Sequence, residues 1–170
     1  RGFVDAYNTS TGNLEWRKYT VPVAGEPGVE TWEGDSWKTG GGPTWSTGTY
    51  DPQTNLIYWP VGNPSPDWNG DARLGDNLYT NSVLALHPET GELEWYFQFT
   101  PHDVWDYDAT NGIVVADVEF EGKTVRALMQ ANRNGYVYTL DATSGKVLHS
   151  FQYTARLNWS KGLDEHGRPE

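Results

Sequence analysis

The stretch Ala6-Tyr7-Asn8-Thr9-Ser10-Thr11-Gly12-Asn13-Leu14-Glu15-Trp16 returns as Ala85-Leu86-His87-Pro88-Glu89-Thr90-Gly91-Glu92-Leu93-Glu94-Trp95. Each runs from a small residue through a polar one to a Thr-Gly pair, and ends on Trp. A looser copy runs from Thr49 through Asp51, Thr54 and Asn55 to Trp59. Another runs from Thr139 through Asp141, Ser144 and Gly145 to His149, where the Trp is lost. A strand ends at the polar residue (Asn8, Asp51 and Asp141 can bond the turn backbone), the Thr-Gly pair supplies a left-handed or bulged position, and a second strand leaves toward the Trp. Alternating or β-branched runs flank these turns at 2–6, 56–61, 82–86, 123–129, 136–140 and 147–153. No stretch holds a sustained helical period of apolar residues, so little helix is expected. Units of roughly 40 residues with a Trp signature predict radially repeated four-stranded sheets, an all-β β-propeller. The copies start at positions 6, 49, 85 and 139, and the uneven spacing fits insertions in loops. Trp16, Trp59 and Trp95 then read as scaffold.

Composition excludes several functions. Twelve Lys+Arg against 23 Asp+Glu give a net charge of −11, which supplies no basic face for a nucleic-acid backbone. No apolar run approaches the ~20 residues of a membrane helix. Nine Trp, ten Tyr and five Phe need burying, which argues against disorder. The chain has no Cys, hence no disulfide framework and no thiolate chemistry. The only Met is Met129, so the chain reads as a processed protein or a piece of a longer one.

Three polar, Gly/Pro-rich stretches fall outside the repeat, at 23–45, 62–80 and 100–112, and loops on a rigid scaffold are where function is placed. Thr100-Pro101-His102-Asp103-Val104-Trp105-Asp106-Tyr107-Asp108 sets three carboxylates and a His among aromatics. Carboxylates beside aromatics acquire raised pKa values, which suits a general base. Asp106 and Asp108 lie two apart, so an extended segment would turn both to one side, toward a shared hard cation. A solvated acidic turn is an equal reading of this stretch. Asn63 follows an apolar strand and is either a turn cap or a metal ligand. Gly40-Gly41-Gly42 lacks the ending of a phosphate loop but allows close approach to something flat beside Trp45. Asn132-Arg133-Asn134-Gly135 is a hairpin turn, and Arg133 alone reads as solvated.

Taken together, these segments resemble the quinoprotein alcohol dehydrogenases, the methanol/ethanol dehydrogenase family that uses pyrroloquinoline quinone (PQQ). The resemblance covers nearly the whole chain. It rests on Gly2-Phe3-Val4-Asp5-Ala6-Tyr7, Glu33-Gly34-Asp35-Ser36-Trp37, Gly40-Gly41-Gly42-Pro43-Thr44-Trp45, Gly62-Asn63-Pro64, Gly75-Asp76-Asn77, Thr100-Pro101-His102-Asp103 with Trp105-Asp106, and Arg133-Asn134-Gly135. The eleven-residue repeat is similar to that family's tryptophan-docking motif. Residues 1–170 would then be about three to four blades of an eight-bladed propeller, with no internal domain boundary.

The resemblance implies a role for each matching residue. Trp45 matches the indole under the PQQ ring, Asn63 the amide ligand of the metal, Asp106 the catalytic carboxylate, and Arg133 the cation on the quinone oxygens. The position two after the catalytic Asp is usually small or uncharged in calcium-dependent members and Asp in lanthanide-dependent ones. Here it is Asp108. The implied metal ligands are thus Asn63, Asp106 and Asp108, with a lanthanide favoured over Ca²⁺. The implied reaction is oxidation of a primary alcohol to an aldehyde, with cytochrome c as acceptor, in the periplasm, by a protein without a membrane span and homodimeric at full length. The family's glutamate ligand and adjacent-cysteine pair would lie outside this chain, so the fragment alone should not turn over. Where the family usually carries Asp, this chain has Asn132. Two other readings are a non-catalytic propeller scaffold of the PQQ type, and a self-contained four-bladed sugar-binding module whose surface aromatics stack on sugars. Neither accounts for Trp45, Asn63, Asp106 and Arg133 together.

Overall fold

The computed structural model describes all residues 1–170 and is all-β, with three 3-10 turns as its only helix. Strands β1 (Phe3–Tyr7) and β2 (Leu14–Tyr19) form one antiparallel pair. Strands β3 (Thr49–Asp51), β4 (Leu56–Pro60), β5 (Ser82–Leu86) and β6 (Leu93–Gln98) form a four-stranded meander. A second meander comprises β7 (Val114–Phe120), β8 (Lys123–Ala131), β9 (Tyr136–Asp141) and β10 (Val147–Gln152). Three blades are therefore represented, two of them complete, at the lower end of the expected number. No helix is long and apolar enough to cross a membrane.

The repeat has a structural identity. Ala6 pairs with Trp16, Ala85 with Trp95 and Thr139 with His149, and in each hairpin the register shifts by a bulge just beyond that pair. In both complete blades this bulged hairpin joins the third and fourth strands, which marks β1–β2 as the closing pair of its blade. The copy at Thr49 differs. Thr49 pairs with Tyr58 rather than Trp59, without a bulge, because Asn55 at φ 53° closes a tighter turn. That copy is the opening hairpin of the middle blade, so four copies do not make four blades, and two and a half blades do not close into a self-contained module.

The closing hairpin of each complete blade receives the Trp of the blade before it. Trp16 Nε1 donates to Pro88 O at 2.9 Å, and Trp95 Nε1 donates to Ala142 O at 3.1 Å. The indoles lie flat on the motif glycines: a Cβ on Gly91 or Gly145 would stand 2.5 Å from Cε3 of Trp16 or Trp95. Both glycines also hold φ near +70°, so sterics and backbone demand the same residue. Trp59 is scaffold of another kind: it covers Gly48 inside its own blade, and its buried Nε1 has no partner.

Two apolar layers glue the blades. Strand β5 is buried along its whole length, as a central strand with sheets on both faces must be. Its alternation sends Val83 and Ala85 toward the third blade, among Tyr58, Leu128, Tyr138 and Leu140, and Leu84 and Leu86 toward the first, among Val4 and Val61. Each fully buried Leu or Val contributes about 1.5–3 kcal/mol. Asp51, buried at the end of β3, receives Arg126 of β8 through two bonds, Nη2 to Oδ1 at 2.6 Å and Nε to Oδ2 at 3.1 Å, which ties the two complete blades electrostatically.

Candidate functional site

Three connections converge on one face: the segment after β4, the loop from β6 to β7, and the β8–β9 turn. After β4 the chain passes Gly62, where a Cβ would stand 2.5 Å from Asp108 Oδ1. Gly62 is therefore what lets the 100–108 loop close on this segment. Asp108 is 7% exposed and accepts from the Asn63 backbone N–H at 3.0 Å through Oδ1, and from Arg133 Nη1 at 3.1 Å through Oδ2. One carboxylate thus joins Asn63 and Arg133, separated by 70 positions in sequence.

The 40–45 segment joins by its backbone. Gly41 and Pro64 form an isolated bridge, Gly42 N donates to Asn63 O at 2.8 Å, and Gly62 N donates to Pro43 O at 2.8 Å. A Cβ on Gly41 would stand 2.6 Å from Ser65 N, so the glycine run serves close approach to the 62–65 segment. Trp45, at the end of this segment, is 65% exposed and presents its indole to solvent. No ring contact or hydrogen bond ties that indole to Asn63, Asp106 or Arg133; the backbone bridge sets their relation.

The β8–β9 turn is held from beneath by amides. Gln130 Nε2 donates to the carbonyls of Ala109 (2.9 Å) and Asn111 (3.0 Å), and Asn134 Nδ2 donates to Phe99 O at 3.0 Å. Asn132 Nδ2 donates to Gln130 Oε1 at 2.9 Å, which an aspartate there could not do. Arg133 itself stays half exposed, its guanidinium free on all but one nitrogen. On the far side of the loop, Trp105 and Tyr107 stack at 5.7 Å, and Trp159 leans on both while donating from Nε1 to Asn134 O at 2.9 Å.

The segment around Asp106 is not extended. Asp106 and Asp108 both hold left-handed backbone, at φ 60° and 52°. The two carboxylates are therefore not aligned by strand alternation, and their directions are set by this pair of turns. Burial pushes both carboxyls above their ordinary pKa values; Asp67 adds to the rise at Asp106, while the Asn63 N–H opposes the rise at Asp108. Arg133 pulls both downward without cancelling the effect. Concentrated negative charge in a partly desolvated place is suited to a cation, and the available donors are hard oxygens: the two carboxylates and Asn63 Oδ1, which accepts no hydrogen bond from the protein. No group of three or more His, Cys, Asp or Glu surrounds one point. The oxygens this chain could offer a hard ion are two carboxylates and an amide, and such an ion would need further ligands from elsewhere.

Buried polar residues frame the site, one absent from the motif reading, Arg73, and one quoted there without a role of its own, Asp103. Arg73 is fully buried, donating to the carbonyls of Pro66 (2.9 Å), Asp67 (2.7 Å) and Asp103, and to Asn77 Oδ1 (2.8 Å). Asp103 is buried with all its carboxylate contacts inside the protein. No sequence signal separates a buried Arg73 from a solvated arginine in a polar loop.

A family model described as the glucose/ethanol/alcohol dehydrogenase β-propeller domain, under the heading PQQ, matches residues 1–155. The quinoprotein alcohol dehydrogenase PedH of Pseudomonas putida is 43% identical over 99% of this chain and 31% of its own length. The lanthanide-dependent methanol dehydrogenase of Methylorubrum extorquens is 38% identical over 98% of this chain and 31% of its own length. Among solved structures, the quinohemoprotein alcohol dehydrogenase of Comamonas testosteroni superposes with a TM-score of 0.92 and 37% identity, over 99% of this chain and 27% of that one. The chain thus spans about a third or less of the length of the proteins it matches.

Proposed function

Because this chain belongs to the PQQ-dependent alcohol/methanol dehydrogenase family, we propose that the protein carrying it oxidises primary alcohols to aldehydes at the face formed by Trp45, Asn63, Asp106, Asp108 and Arg133. The observation that carries this reading is Asp108, buried and bonded to both Asn63 and Arg133. It brings the Asn63 backbone and the Arg133 guanidinium onto one buried carboxylate, which supports reading these residues as one site. Bound PQQ would supply an electrophilic quinone carbon able to accept a hydride.

The residues of this chain divide the remaining work. Trp45 offers a flat indole on which a planar ring can stack. Asn63 Oδ1, Asp106 and Asp108 would hold a metal ion, and the second carboxylate would favour a trivalent lanthanide over Ca²⁺ by adding negative charge. The name of the M. extorquens relative agrees with that choice. Arg133 would offer its free N–H groups to the quinone oxygens, as a charge-assisted donor. Asp106, its carboxyl raised above the ordinary range by burial, takes the proton of the alcohol hydroxyl. The electron acceptor would be a cytochrome c, a partner that the quinohemoprotein relatives support, and the reaction would take place in the periplasm.

The test is reconstitution of the metal-free, PQQ-free full-length protein with PQQ and either La³⁺ or Ca²⁺, followed by dye-linked oxidation of a primary alcohol. Turnover that requires PQQ and is higher with La³⁺ is expected. Turnover without PQQ rejects the reading, and equal or better turnover with Ca²⁺ rejects the lanthanide preference.

A further inference from the structure

Asp103 lies three residues before Asp106, apart from the residues assigned to cofactor, metal and proton. Its side chain is fully buried, and its carboxylate oxygens form no salt bridge. Oδ1 accepts from Trp105 N at 2.8 Å; Oδ2 accepts from Tyr107 N at 2.9 Å and from Asn81 Nδ2 at 2.5 Å. The two backbone amides are those on either side of Asp106. Between them the chain takes the left-handed turn at Asp106, a conformation that residues other than glycine enter only when their surroundings hold them there. Asp103 is in turn gripped at its other end, where its carbonyl accepts from the buried guanidinium of Arg73. The same guanidinium takes the carbonyls of Pro66 and Asp67, just beyond Asn63.

We propose that Asp103 is a positioning residue, which uses its two carboxylate oxygens to hold the backbone N–H groups of Trp105 and Tyr107, the residues on either side of Asp106, and so presets the direction of the Asp106 carboxylate. Arg73 references that clamp to the Asn63 segment, so that base and amide ligand keep a fixed relation. A carboxylate is the group for this task. Each oxygen accepts from a different N–H, whereas the amide of an asparagine offers one acceptor oxygen and turns an NH₂ against the other donor. The aromatic stack of Trp105, Tyr107 and Trp159 closes the opposite side of the loop, so the turn is held by polar bonds within and by rings without.

This inference rests on Asp106 being the base and a metal ligand, and the experiment separates the two claims. Full-length protein is prepared as wild type, Asp103→Asn and Asp106→Asn. Metal-free samples are loaded with Eu³⁺ alone, and luminescence decay in H₂O and D₂O counts the water molecules on the ion. PQQ-loaded samples give turnover per bound cofactor and KM for a primary alcohol. In Asp103→Asn we expect about one additional water on europium, as a misdirected Asp106 leaves the ion, and turnover per bound PQQ lower by about tenfold to a hundredfold with KM little changed. Either measure remaining at its wild-type value overturns the positioning role. Wild-type turnover in Asp106→Asn rejects the base assignment instead. Should Asp103→Asn fail to fold, Asn81→Ser removes one of the three bonds on the Asp103 carboxylate. It should move both measures the same way by a smaller amount, and no movement overturns the proposal.

Discussion

Arg133 donates from Nη1 to Asp108 Oδ2 at 3.1 Å, joining the turn of the third blade to the loop that leaves the second. The arginine is half exposed and the carboxylate is buried, so the bond matters more for where the guanidinium points than for stability. Arg133→Ala is expected to change the stability of the full-length protein by about 1 kcal/mol or less. Its affinity for PQQ should weaken by about tenfold or more, the equivalent of one charge-assisted hydrogen bond. Thermal unfolding and PQQ titration, run on the same preparation, check both halves.

The docking of Trp95 on Gly145 can be isolated by comparing two glycines. Gly145 and Gly122 hold φ +71° and +75°, but only at Gly145 would a Cβ meet an indole. Both alanine substitutions carry the backbone cost of a positive φ, about 1 kcal/mol. Gly145→Ala should cost about 1–3 kcal/mol beyond Gly122→Ala, because Trp95 must move. Denaturant unfolding of both variants measures the difference.

The ion pair between blades sets an acid limit. Arg126 beside Asp51 holds that carboxyl below its ordinary range. Its folded value is lower than its unfolded one, so the stabilisation is present above the unfolded pKa, about 3.9, and is lost as pH falls through the lowered value. Asp51→Asn is expected to cost about 1.5–3 kcal/mol at neutral pH, and the gap to wild type should narrow on acidification below about pH 4. Unfolding free energies measured from pH 7 down to 3 follow that convergence.

Much of the fold was legible because its determinants are local and repeated. The Thr-Gly turn, the Trp beyond it and the alternating strands recur in one short window, and the glycine reads correctly even though its reason, an indole from another blade, lies outside that window. The copy at Thr49 misled for the same reason: similar turn chemistry without the bulge belongs to a different hairpin. At the site, the glycines before Trp45 signalled close approach, though what approaches them is the 62–65 backbone rather than something flat, and the acids around Trp105 left two readings open. What stayed hidden was which acid would be buried and to what it would bond. Asp103, Asp106 and Asp108 are equivalent in one dimension; the left-handed turns and the carbonyls gathered by Arg73 make them different.

Asn132 makes a related point at one atom. Gln130 commits its NH₂ to the carbonyls of Ala109 and Asn111, which leaves its oxygen to be satisfied by the NH₂ of Asn132. Asn132→Asp should therefore cost about 1–3 kcal/mol, as two acceptor oxygens are left facing each other. Unfolding of this variant against wild type measures the cost.

The central claim is that Asp106 is the base of a PQQ-dependent alcohol oxidation. It is tested most directly by Asp106→Asn in the full-length protein reconstituted with PQQ and La³⁺, with dye-linked turnover of a primary alcohol measured per bound PQQ. Loss of at least about a hundredfold in turnover, with PQQ still bound and the fold intact, is the predicted result. Turnover within a few-fold of wild type would contradict it.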